Sequence, residues 1–167
     1  NIILACNGEI YNFKQLAEDN SITLTTDSDC EIILHLYQKY GIEFTLSILD
    51  GVFAFVLYDK NINKVIIARD PYGVRPLYYF NENNIISFAS ELKVLYPLLI
   101  TKKNINHFPP GSFMILDNTN SKNYTLSYKK YTSFPCSNIK YLNRASLYYK
   151  IIDNLESAVE KRVSGTV

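Results

Sequence analysis

The sequence predicts a layered α+β domain, and three observations carry that prediction. Two pairs of β-rich runs, Val52–Tyr58 with Lys64–Arg69 and Leu77–Phe80 with Ile85–Ala89, are each joined by a short polar turn, the pattern of antiparallel hairpins. Ahead of them Ile32, Ile33, Leu36, Tyr37 and Tyr40 recur at helical spacing, so helices and hairpins share one chain. The chain has 167 residues, 47% apolar and 20% charged, which is enough to enclose a core and argues against a disordered chain.

Taken in order, residues 2–6 (Ile2-Ile3-Leu4-Ala5-Cys6) read as a buried strand and residues 13–19 as a short helix, closed by Glu18-Asp19-Asn20-Ser21. Residues 22–26 alternate as a strand. Ser28-x-x-Glu31 has the form of a capping box, with serine accepting from an orphan amide and glutamate reaching back. The helix it opens runs through Tyr40 and stops at Gly41, a residue suited to left-handed geometry.

A second short helix is expected over 42–49, then the two hairpins with turns at Asp59–Asn63 and Asn81–Asn84. Residues 91–98 read as a helix halted near Pro97, and 112–116 as a strand after Pro109-Pro110-Gly111. From about 117 to 141 the composition turns to Asn, Ser, Lys and Tyr and reads as a loose connection. The period then changes: Tyr148, Ile151, Ile152, Leu155 and Val159 make one apolar face of a helix within 142–167.

Seventeen basic residues against 16 acidic leave no global field for nucleic acid or anionic lipid. Lys129 and Lys130 lie beside tyrosines, which is the composition of a solvated edge. No apolar run is long enough to span a membrane. Three cysteines, Cys6, Cys30 and Cys136, show no metal spacing; the first two sit in apolar stretches and read as small buried hydrophobes, which suits a reducing cytoplasm. His35 and His107 are isolated and read as structural. The chain opens at Asn1 in the middle of a strand pattern and ends at Gly165-Thr166-Val167, so it reads as a piece of a longer protein.

The chemistry concentrates in two short motifs, Asn7-Gly8-Glu9-Ile10-Tyr11-Asn12 and Ser28-Asp29-Cys30-Glu31. The first sets a side-chain amide, an unhindered backbone N–H and a carboxylate in consecutive positions. Asn7 and Gly8 are donors suited to an oxyanion, a contribution of about 10²–10³ in rate per donor. Glu9 and Asp29 are carboxylates suited to an α-ammonium group. Together they fit hydrolysis of an amino acid's carboxamide, although an Asn-Gly pair taken alone reads as a turn. Two other clusters take plainer readings: Arg69-Asp70 with Arg75 as a turn brace bent at Gly73 rather than a phosphate grip, and Ser90-Glu91 as a helix cap rather than a nucleophile and base.

Beyond these motifs the chain resembles the glutaminase half of asparagine synthetases, a class II glutamine amidotransferase domain of the N-terminal-nucleophile hydrolase type. The resemblance runs over about residues 1 to 116. It includes the two motifs above, Asp50-Gly51-Val52-Phe53-Ala54-Phe55, Arg69-Asp70-Pro71-Tyr72-Gly73-Val74-Arg75-Pro76-Leu77, Ala89-Ser90-Glu91-Leu92-Lys93 and Phe108-Pro109-Pro110-Gly111, in the family's order. It implies a four-layer α/β/β/α sandwich of antiparallel sheets, truncated at its N-terminus. Residues 1–141 would be the glutaminase domain, and 142–167 a helix leading into a missing ATP-dependent synthetase domain.

The resemblance also implies a mechanism. An N-terminal cysteine attacks glutamine with its own α-amine as base, and the ammonia released amidates aspartate in the synthetase domain, which holds ATP and Mg. Asn7 and Gly8 match the oxyanion-hole positions, and the glutamine-binding positions are Asn7, Gly8, Glu9 and Asp29. Residue 1 here is Asn, and Cys6, Cys30 and Cys136 are embedded in the chain without an α-amine, so the chain as given is expected to be inactive. No cofactor is expected in residues 1–167, and no metal. The expected partners are glutamine and the downstream domain, with a homodimer compatible and neither nucleic acid nor membrane. Two alternatives remain: a glutaminase serving another acceptor, and a non-catalytic scaffold that has lost the nucleophile.

Overall fold

Strand β2 (Gly51–Asp59) carries apolar side chains on both faces, and that sets the layering of the domain. A computed structural model describes residues 1–82, 85–98, 105–117, 128–132 and 143–163, and the chain divides into two compact units, Asn1–Ser133 and Phe134–Val167. In the first unit β2 pairs antiparallel with β1 (Ile2–Ile10) on one side and β3 (Lys64–Arg69) on the other. Strands β7 (Ser112–Asp117) and β8 (Lys129–Lys130) extend the sheet, giving the order β1-β2-β3-β7-β8. A second antiparallel sheet has the order β5-β4-β6, from β4 (Tyr78–Glu82), β5 (Ile85–Ala89) and β6 (Asn106–His107).

The period-2 alternation of the strands separates two cores. Phe53, Phe55 and Leu57 of β2, with Ile66 and Ala68 of β3, face helices α1 (Phe13–Asp19), α2 (Glu31–Tyr40) and α3 (Ile42–Ile48). Ala54 of β2 and Ile67 of β3 face the other way and meet Leu77, Tyr79, Phe108, Met114 and Leu116 between the sheets. Phe80 points beyond the second sheet to Leu95 of α4 (Leu92–Leu95), which a 3₁₀ turn at Tyr96–Leu98 continues. The result is the expected α/β/β/α stack. Each fully buried Phe, Ile or Leu contributes about 1.5–3 kcal/mol through burial, so the two sides of β2 and β3 carry much of the stability.

Two local expectations are corrected. Residues 22–26 form no strand. Ile22 and Leu24 pack against the helix-side core, while the Thr25 and Thr26 N–H groups donate to the Glu31 carboxylate instead of a neighbouring strand. The capping box is not formed either. Cys30 is the N-cap of α2 without a side-chain cap bond, because Glu31 is held by the two threonines. Gly41 does end α2, at φ +80°.

The turn after β3 behaves as a brace. Arg69 donates to the carbonyls of Arg75, Gly73 and Phe108 at 2.7, 2.8 and 2.7 Å. Asp70 accepts from the N–H groups of Tyr72, Val74, Arg75 and Phe53 at 2.9–3.3 Å. Gly73 sits at φ +64°, which admits the bend. Within the stretch expected as a loose connection, β8 pairs with β7 and the Tyr131 hydroxyl donates to the Arg69 carbonyl at 2.8 Å. The rest of that stretch, Cys136 and part of the Asn81–Asn84 turn lie outside the described residues. In the second unit α5 (Arg144–Val163) bears its apolar face, Tyr148 to Val159, exposed.

Candidate functional site

Strand β1 lies at the edge of its sheet, and the two motifs meet there. Tyr11 N–H donates to the Asp50 carbonyl, toward β2, whereas Ile10 N–H donates to Asp29 Oδ2 on the outer side. Successive backbone groups of a strand alternate in direction, so Gly8 N–H points outward with that of Ile10, along the open edge. Gly8 also has a packing reason to be glycine. A Cβ there would stand 2.4 Å from the Val52 carbonyl oxygen and 2.7 Å from Phe53 Cα. Asp29 is fixed at the entry to α2, because its carboxylate holds β1 through Ile10 N–H.

The side chains of β1 divide by face. Leu4, Cys6 and Gly8 line an open cleft of about 500 Å³ with Asp29, Cys30 and Glu31. That volume lies within the range of about 300–1,000 Å³ usual for small-molecule sites. Asn7 and Glu9 lie on the opposite face and are exposed. Asn7 Nδ2 donates to Ser90 Oγ at 2.9 Å, reaching the end of β5 in the second sheet. An amide nitrogen carries two hydrogens, so this bond orients the amide and takes only one of them. The structure therefore brings Gly8 and Asp29 together on the cleft and sets Asn7 and Glu9 across the strand. One small ligand can meet both groups only by lying along the outer edge of β1.

The electrostatics of the cleft are acidic. Cys6 and Cys30 lie with their sulfurs 3.3 Å apart, within hydrogen-bond distance. The contact with Cys30, together with burial, pushes the Cys6 thiol well up. The same contact lowers Cys30, against burial and against the charges of Asp29 and Glu9. Both carboxylates are thus close enough to act on Cys30. The two cysteines are half-buried on the cleft, not enclosed as the sequence led us to expect. Arg75 acts on Cys6 in the opposite sense, and its Nε is buried without a hydrogen-bond partner among the described residues. Arg75 gives its backbone to the turn brace.

Three residues have roles the sequence reading missed. Glu31 accepts from the backbone and hydroxyl of both Thr25 and Thr26 at 2.6–2.8 Å and meets His35 Nε2 at 3.1 Å. These bonds hold its carboxyl far below the ordinary range, with Thr26 and then Thr25 the largest causes. Ser90 is not a cap: Glu91 takes the N-cap position of α4 without a side-chain bond, and Ser90 accepts from Asn7. Asn12 clamps the Ile48 carbonyl at 2.9 Å and the Asp50 N–H at 3.0 Å, closing the loop beneath β1. The Thr-Thr pair ahead of Glu31 was a readable signal; the partners of Ser90 and Asn12, 83 and 36–38 residues away, were not.

Comparison with known proteins matches residues 1–150 to the family described as "Glutamine amidotransferase domain". The chain belongs to the glutamine amidotransferase domain family. This amidotransferase domain is 38% identical over 157 residues to "Probable asparagine synthetase [glutamine-hydrolyzing]" of Acanthamoeba polyphaga mimivirus, covering 93% of this chain and 26% of that protein. It is 47% identical over 118 residues to "Asparagine synthetase [glutamine-hydrolyzing]" of Gallus gallus, covering 68% of this chain and 21% of that protein. The amidotransferase domain thus spans about a quarter or less of these relatives. Among solved structures it superposes on the glutamine phosphoribosylpyrophosphate amidotransferase of B. subtilis with a TM-score of 0.64 and 25% identity. That superposition covers 78% of this chain and 29% of the other. No helix of the described residues is long and apolar enough to cross a membrane, and no group of three metal-ligating side chains stands together among them.

Proposed function

We propose that this domain is the glutamine-binding half of a cytoplasmic asparagine synthetase, releasing ammonia from glutamine for the ATP-dependent amidation of aspartate. One observation carries the site assignment: Gly8 N–H is directed to the open edge of β1, beside Asp29. There the N–H donates to the oxygen that becomes negative when the carboxamide is attacked, and the oriented Asn7 amide donates its second hydrogen. Asp29 and Glu9 hold the α-ammonium of glutamine, which the acidic character of the cleft favours. In this reading the attacking group is an N-terminal cysteine with its own α-amine as base, a role that the internal Cys6, Cys30 and Cys136 do not fill.

The 38–47% identity to proteins named asparagine synthetases supports aspartate as acceptor. In this reading the downstream synthetase domain of the same polypeptide binds ATP and magnesium, and the intact protein assembles as a homodimer. The test is glutamine-dependent asparagine formation by the full-length protein. Asn7→Ala is expected to lower kcat by about 10²–10³ with a smaller change in KM. Glutamine hydrolysis without asparagine formation would sink the acceptor and leave the glutaminase standing. Absence of hydrolysis from a protein with a mature N-terminal cysteine would sink both.

A further inference from the structure

Two thiols stand in the wall of the cleft, and the amidotransferase chemistry gives them no task. Cys6 comes from β1 and Cys30 from the residue that opens α2, 24 positions along the chain, yet their Sγ atoms are 3.3 Å apart and unbonded. Cys30 directly follows Asp29, and its sulfur lies 4.0 Å from the Gly8 carbonyl oxygen. Both cysteines border the helix-side core, yet they also line a cleft that small solutes can enter. The sulfurs are already within reach of each other without large backbone movement, since bonding distance is about 2 Å.

We propose that Cys6 and Cys30 form a reversible oxidation site, a dithiol that hydrogen peroxide closes into a disulfide in the wall of the cleft. Cys30 attacks a peroxide oxygen as thiolate; the O–O bond breaks, hydroxide leaves and takes a proton to become water, and Cys30 becomes a sulfenic acid. The Cys6 sulfur then attacks the Cys30 sulfur, the S–O bond breaks, and the hydroxyl leaves as a second water with the Cys6 proton. Two thiols lose two electrons and one peroxide gains them. Two equivalents of a small thiol such as glutathione reverse the bond by exchange: the first forms a mixed disulfide, and the second releases the protein thiol and leaves with the first as glutathione disulfide. The assignment of roles follows the chemistry of the pair, because Cys30 is the member whose pKa is lowered and Cys6 the one that keeps its proton.

The bond would tie β1 to the start of α2 and draw the Asp29–Cys30 segment toward the strand. Its consequence, weaker glutamine binding, rests on the function proposed above; the bond itself does not. The test treats the reduced full-length protein with hydrogen peroxide, blocks remaining thiols with N-ethylmaleimide and maps peptides without reduction. The expected result is a Cys6–Cys30 link that dithiothreitol reopens and that Cys30→Ser abolishes, leaving Cys6 alkylated. Recovery of both residues as maleimide adducts, when an added thiol peptide is fully oxidised, overturns the proposal. So does a link found only between chains.

Calorimetry of glutamine binding before and after oxidation reads the consequence. An affinity at least tenfold weaker, restored by dithiothreitol and unchanged by peroxide in Cys30→Ser, supports it. Unchanged affinity in the linked protein refutes control of the cleft. No glutamine binding even in the reduced protein counts against the glutamine reading, while the peptide map still decides the dithiol.

Discussion

The turn after β3 and the outer edge of β1 use the same residue types to opposite ends. At the turn Asp70 and Gly73 are closed on themselves: the Asp70 carboxylate accepts from four backbone N–H groups, and Arg69 beside it donates to three carbonyls. At the edge Asp29 and Gly8 face outward. Asp29 binds one backbone N–H and lines a cleft, and the Gly8 N–H points along a strand edge that no other strand pairs among the described residues. An Asp-and-Gly motif therefore says little by itself. What separates scaffold from site is whether the polar groups are satisfied by the chain's own backbone or directed to where a ligand can lie.

The comparison can be broken most forcefully at Asp70. Removing a buried carboxylate leaves several N–H groups without an acceptor, at about 1–3 kcal/mol for each buried group left unpaired. Asp70→Ala is therefore expected to lower stability by at least about 3 kcal/mol, read as a fall in the urea midpoint. A change under about 1 kcal/mol would show that the brace is not structural. Asp29→Asn is the counterpart. The amide oxygen still accepts from Ile10 N–H but the charge is lost, so glutamine affinity should fall about 10–100-fold, while the unfolding free energy from urea titration stays within about 1 kcal/mol of the parent. Equal loss of stability and of binding would make Asp29 a second brace.

The smallest effect concerns Glu31, a carboxylate on the cleft that nonetheless belongs to the scaffold. Its folded-state pKa is depressed below its ordinary value near 4.5 by Thr26 and Thr25. A depressed carboxyl contributes stability that is present above the unfolded pKa and is lost as pH falls through the folded one. Urea midpoints taken from pH 6 downward should thus decline on the acid side of about pH 4.5. Glu31→Gln should flatten that decline. An unchanged acid limb in the variant would place the proton-linked group elsewhere.

The hairpins were legible because a two-residue period and a polar turn are local properties. The same holds for α1 to α3, where Gly41 marks the end of α2. Local rules misled at residues 22–26 and at Ser28-x-x-Glu31 for one shared reason. The Glu31 carboxylate had two sets of donors within reach and took the four from Thr25 and Thr26, which removed both the strand's hydrogen bonds and the cap.

By itself the sequence determined the α+β class, the antiparallel hairpins and the family, and it nominated the four candidate site residues. Those follow from periodicity and from ordered motifs, which a linear chain displays. Only the tertiary structure decided that Asn7 and Glu9 stand across β1 from Gly8 and Asp29, that Ser90 orients Asn7, and that Cys6 meets Cys30. The physical reason is that a strand sends neighbouring side chains to opposite faces, while its edge and its partners are fixed by segments dozens of residues away.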